Sequence, residues 1–122
     1  RRANVEPDEK ESRNDLYEAV SYYERYLIFA TTAQTVLFKN RIGDIYRALG
    51  EYKRAVEEYE DIIEKYPEDA TAYISLATML LIDMKDVNTS AMIYMKARQL
   101  PDIEFNSNFV SLKNKLKNVG GI

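Results

Sequence analysis

The sequence predicts an all-α protein made of antiparallel helical hairpins stacked side by side, with a capping helix at the C-terminus. Two observations carry that expectation. Apolar residues recur at three- and four-residue steps in stretch after stretch, the spacing that lays side chains along one face of a helix. Glycine, proline and cap-forming residues separate those stretches at short intervals, so successive helices must fold back on each other. Helices are expected near residues 9–30, 33–49, 52–66, 70–84, 89–100 and 105–119.

Residues 1–14 read as a polar leader, with Pro7 set among Glu6, Asp8, Glu9, Lys10 and Glu11. Proline also suits the first position of a helix and acids suit its first turn, so order is expected to begin between Pro7 and Asp15. Over residues 15–35 the stripe runs Leu16, Ala19, Val20, Tyr23, Leu27 and Ala30. Tyr22, Tyr26 and Phe29 fall off it and are expected to face another helix, a missing element or a partner. Thr31 and Thr32 carry hydroxyls able to cap the next helix. The apolar stretch from Tyr26 to Phe38 is too short to cross a bilayer and is interrupted by polar residues.

Residues 36–69 hold the clearest hairpin. Phe38, Ile42, Ile45, Tyr46 and Leu49 form one stripe; Tyr52, Ala55, Val56, Tyr59, Ile62, Ile63 and Tyr66 form the next. Gly50 stands between them, where a left-handed C-cap excludes a Cβ. Pro67 closes the second helix, because it has no N–H to donate. A second hairpin spans residues 70–102. Ala70, Tyr73, Leu76, Ala77, Leu80 and Leu81 line its first helix, and Ala91, Tyr94, Met95 and Ala97 its second. Its turn is expected over Asp83–Thr89, with Asn88, Thr89 or Ser90 as the cap, and Pro101 ends it. Residues 103–122 supply the last helix, with Phe105, Phe109, Leu112, Leu116 and Val119 on its stripe, Lys113, Lys115 and Lys117 mostly off it, and Gly120-Gly121 as the stop. One polar face and one apolar face suit a helix that covers the open end of an array.

The hairpin at 36–69 resembles a tetratricopeptide repeat, whose pattern is W-x2-L-G-x2-Y, A-x3-F and P over 34 residues. Ile42-Gly43 stand for Leu-Gly, Tyr46 for the tyrosine, Ala55 and Tyr59 for A-x3-F, and Pro67 for the proline, while Lys39 replaces the tryptophan. Residues 70–102 look like a degenerate repeat, with Leu76-Ala77 in place of Leu-Gly and Ser90 in place of the alanine. Residues 15–35 look like the second helix of a partial repeat, with Ala19 and Tyr23 matching Ala55 and Tyr59. The resemblance implies a short right-handed solenoid forming a single domain over 1–122. Small Gly43 and Ala55 would then let two helix backbones approach closely. The array starts in mid-pattern and the chain opens Arg-Arg-Ala, so a fragment of a longer protein is expected.

Net charge is −3, giving no electrostatic footprint for nucleic acid, and no apolar run is long enough for a transmembrane segment. The chain has neither histidine nor cysteine, which removes the commonest general base, metal ligand and thiol nucleophile. Glu57, Glu58, Glu60, Asp61 and Glu64 lie around a helix without the loop spacing of a calcium site, so they read as a solvated face. No enzyme and no cofactor is expected. The resemblance implies a scaffold for a protein or peptide partner, its groove lined by the first helix of each hairpin. Carried over, the groove residues are Asn40, Arg41, Asp44 and Arg47, then Thr71, Ile74, Ser75 and Thr78. Arg41 and Arg47 are the charges expected to hold a ligand, with Asp44 between them opposing a bare carboxylate. The alternative is a structural subunit that packs laterally or self-associates through Tyr22, Tyr26 and Phe29, with an empty groove.

Overall fold

Helix starts follow the residues able to cap them. The structure, a computed structural model, describes residues 7–122; the part of the expected leader before Pro7 lies outside them. α1 (Pro7–Leu27) begins at the proline, so residues 7–14 are helical. α2 (Thr32–Ala48) starts behind Thr31. The Thr31 hydroxyl accepts the Gln34 N–H at 3.2 Å and Gln34 Oε1 accepts the Thr31 N–H at 3.0 Å, a reciprocal capping box. Gly50, at φ +77°, turns the chain into α3 (Tyr52–Lys65). Asp69 caps α4 (Ala70–Ile82), accepting the Ala72 N–H at 3.2 Å.

α5 (Val87–Ala97) starts two residues before the expected position. Asp86 is the cap in place of Asn88, Thr89 or Ser90, accepting the Thr89 N–H at 3.1 Å. The Thr89 hydroxyl, and next the Thr89 N–H, hold the Asp86 carboxyl below its usual value. Ser90 is therefore inside the helix and fully buried, its hydroxyl donating to the Ala77 carbonyl at 2.6 Å. After Pro101 a single 3₁₀ turn (Ile103–Phe105) leads to α6 (Ser107–Asn118), capped by Asn106. Phe105 was expected on the α6 stripe. It sits in the 3₁₀ turn instead and is 82% exposed, while Ile103 takes the buried place.

The described residues form six α-helices and no strand. α1 packs on α2, α2 on α3, α3 on α4 and α4 on α5, and α6 returns onto α4 and α5. The short connections make consecutive helices antiparallel, so α2 and α4, which also touch, run the same way. α4 is the centre of the stack. Its sequence is apolar on most sides, as a helix packed between two layers must be, and only the side carrying Thr71, Ser75 and Thr78 is left partly open. One face joins Ala55 and Tyr59 of α3 through Leu76, Met79 and Leu80. The other joins Tyr94 and Ala97 of α5 to Phe109, Leu112 and Leu116 of α6 through Tyr73, Ile74, Ala77 and Leu81. Tyr94 and Phe109 stack with ring centroids 4.9 Å apart. α6 thus covers the end of the second hairpin.

Where α2 meets α3, Gly43 faces an aromatic ring. A Cβ at Gly43 would lie 2.6 Å from Cε1 of Tyr59, so the glycine makes room for that ring. Ala55 is fully buried in the cluster with Tyr59 and α4. Ala55→Leu is expected to overpack this cluster and cost ~1–3 kcal/mol. Urea unfolding measures the loss, and an unchanged midpoint would count against the packing register.

Candidate partner-binding surface

The eight groove residues do not share one environment. Asn40 is only 5% exposed. Its Nδ2 donates to Val36 O and to Asp69 Oδ2, each at 3.0 Å, and Asp69 is the cap of α4. Asn40 therefore joins α2 to the start of α4; its Oδ1 is buried without a hydrogen-bond partner among the described residues. Ile74 is buried as well, because α6 packs over that side of α4. Thr71 is exposed, and Ser75 and Thr78 are half-buried.

A polar concavity of about 490 Å³ opens where α2 and α4 run side by side, lined by Asp44, Arg47, Ala48, Ser75 and Asp83. The half-buried Arg47 guanidinium pairs through Nε with the Asp83 carboxylate, across the C-terminal ends of α2 and α4. Tyr59 reaches between the helices from α3 and donates its hydroxyl to Asp44 Oδ1. Burial, and next the neighbouring Asp44 carboxylate, push the Tyr59 hydroxyl far above the usual tyrosine range, so it stays protonated and keeps donating. Asp44 remains exposed at the mouth. One of the two acids is balanced by Arg47, which leaves the concavity net negative.

Residues 37–79, covering most of α2, all of α3 and most of α4, match the family model described as the tetratricopeptide repeat. The chain carries a tetratricopeptide repeat. Such repeats generally mediate protein–protein interaction and are typically non-enzymatic. No curated protein and no solved structure matches the chain.

In this tetratricopeptide repeat the tryptophan position is filled by Lys39, and the structure gives the reason it is tolerated. Lys39 Nζ lies 3.2 Å from Glu58 and 3.0 Å from Asp61 of α3, so an ion pair stands where a ring would pack. Burial lowers the Lys39 ammonium, but the two carboxylates outweigh it and hold it above its usual value. Asp61 shows the counterpart: partial burial raises it, and Lys39 with Lys65 bring it below its usual value. Its share of stability is present above the ordinary carboxylate range and is lost as pH falls through the lowered value. Glu58 and Asp61 were read as part of a solvated face, and that reading is corrected for these two.

Arg41 and Arg47 do not form a pair. Arg41 leans towards α1, donating from Nη1 to the Tyr23 hydroxyl at 3.1 Å with its guanidinium 6.0 Å from the ring centroid. Asp83 is the groove residue that sequence reasoning assigned to a turn. A signal was present: an acid at a helix C-terminus opposes the dipole, and so calls for a nearby cation. The outer side of α1 is aromatic towards its C-terminal end. Tyr22 and Tyr26 are each 51% exposed with centroids 4.6 Å apart, and Phe29 is 87% exposed beyond the helix end. No helix among the described residues is long and apolar enough to cross a membrane.

Proposed function

We propose that the chain is a non-enzymatic interaction module that holds a partner segment along the α2–α4 face, with Asp44 as its anchor. The observation that carries this is the net negative concavity, in which Arg47 is occupied by Asp83 and Asp44 faces solvent. A segment presenting lysine, arginine or backbone N–H groups suits it; a bare carboxylate does not. Thr71, Ser75 and Thr78 line the same side of α4 as neutral hydrogen-bonding groups.

Panning a displayed peptide library against the chain tests this reading. Enriched peptides are expected to be basic, and Asp44→Asn is expected to weaken them about tenfold, ~1.4 kcal/mol. Arg41→Ala should leave them unchanged, since Arg41 serves α1. Acidic peptides, or equal binding to Asp44→Asn, would sink the proposal.

A second reading is favoured by the exposed rings of Tyr22, Tyr26 and Phe29. That surface is larger than isolated exposed apolar residues would make and is suited to lateral association. The two readings use different faces and do not exclude each other.

A further inference from the structure

The two end helices of this chain are complementary in direction, charge and apolar character. Because successive helices alternate, α1 runs the same way as α3 and α5, and α6 the same way as α2 and α4. A second copy set end to end would bring its α1 beside α6 of the first, antiparallel, as α3 lies beside α2. On the exposed side of α1, Asp15 and Glu18 come first along the chain, and Tyr22 and Tyr26 follow towards its C-terminal end. On α6 the order is reversed along the chain: Val110, 39% exposed, comes first, and Lys113 and Lys117 follow on the same stripe. Antiparallel pairing therefore sets acids against lysines and tyrosines against valine.

We propose that copies of this chain associate head to tail, α6 of one against the outer side of α1 of the next, the two helices forming a hairpin between molecules. This rests on the lateral-association reading and names its occupant; the groove plays no part. Asp15, Glu18, Lys113 and Lys117 have no ion-pair partner among the described residues. α6 has no acid to repel the incoming α1. Arg25 is the one cation on the α1 stripe, and it lies in the tyrosine part, away from the lysines. The contact joins two different surfaces, so it does not close on itself and generates open chains of copies. A single helix pair buries less than the ~1,200–2,000 Å² of a stable interface, so association is weak, concentration-dependent and sensitive to salt.

Sedimentation equilibrium on the 122-residue chain is the test. The average mass is expected to climb past that of a dimer with concentration and to fall on adding salt. Two variants divide the surfaces: Tyr22→Ser with Tyr26→Ser removes the head, and Lys113→Glu with Lys117→Glu removes the tail. Each alone should stay monomeric with unchanged helical circular dichroism, since all four side chains are wholly or partly solvent-exposed. Mixed in equal amounts, they should form a one-to-one dimer and stop there, because one good head meets one good tail. A wild-type chain that stays monomeric throughout, or a mixture that forms no dimer, overturns the proposal. A tail variant that dimerises with itself also overturns it, while leaving the α1 face standing as a self-contact of another geometry.

Discussion

Deleting residues 104–122 is expected to lower the melting temperature sharply and drive the chain to aggregate. The deletion removes Phe109, Leu112 and Leu116, all buried against α4 and α5, and uncovers Ile74, Ala77, Leu81 and Tyr94. Truncating one fully buried leucine to alanine costs ~2–5 kcal/mol. Losing all three side chains therefore approaches the ~5–15 kcal/mol by which a whole domain is stable. Thermal circular dichroism with light scattering reads both effects. Leu116→Ala is the milder companion, expected to lose ~2–5 kcal/mol while remaining folded enough to measure. A truncated chain that is monomeric and melts where the full chain does would mean that α6 is a tail and not a cover.

Gly43→Leu is the second large effect. The added Cβ would lie 2.6 Å from Cε1 and 2.9 Å from Cζ of Tyr59, a ring with no exposed surface. The ring can retreat only by leaving Asp44 and pressing into Leu76 and Met79, so overpacking of ~1–3 kcal/mol is expected. Better helix propensity than glycine returns up to ~1 kcal/mol, which sets the net loss at the lower part of that range. Urea denaturation is the measurement. Stability equal to that of the parent would show that α2 and α3 do not meet at this residue.

Much of this fold was legible because helix periodicity and capping are local signals. Gly50, Pro67 and the apolar stripes gave the helices and the hairpin at 36–69 from neighbouring residues alone. The errors arose where distant parts of the chain decide. Asp86 displaced Asn88 as a cap because the α4–α5 turn closes more tightly than the composition of residues 83–89 suggested. Ile74 left the groove because α6, more than 30 residues later, covers it. Lys39 and Asp61 lie on different helices, so neither sequence neighbourhood announces their ion pair. The groove was legible only as a face. Which arginine is free depended on Tyr23 for Arg41 and on Asp83 for Arg47, partners 18 and 36 residues away.

Asn40 and Arg47 bear on how the molecule comes apart. The stability of repeat arrays is close to a sum of per-repeat terms and contacts between neighbours, so long arrays can fray from an end. Here Asn40 reaches the Asp69 cap at one end of α4, and Arg47 reaches Asp83 at the other, so the two hairpins are tied together at both ends of α4. Loosening the second hairpin strips Asn40 and Arg47 of their partners and so weakens the first. Melting of this chain should accordingly be a single transition, with slow amide exchange in α2 and α4 lost together.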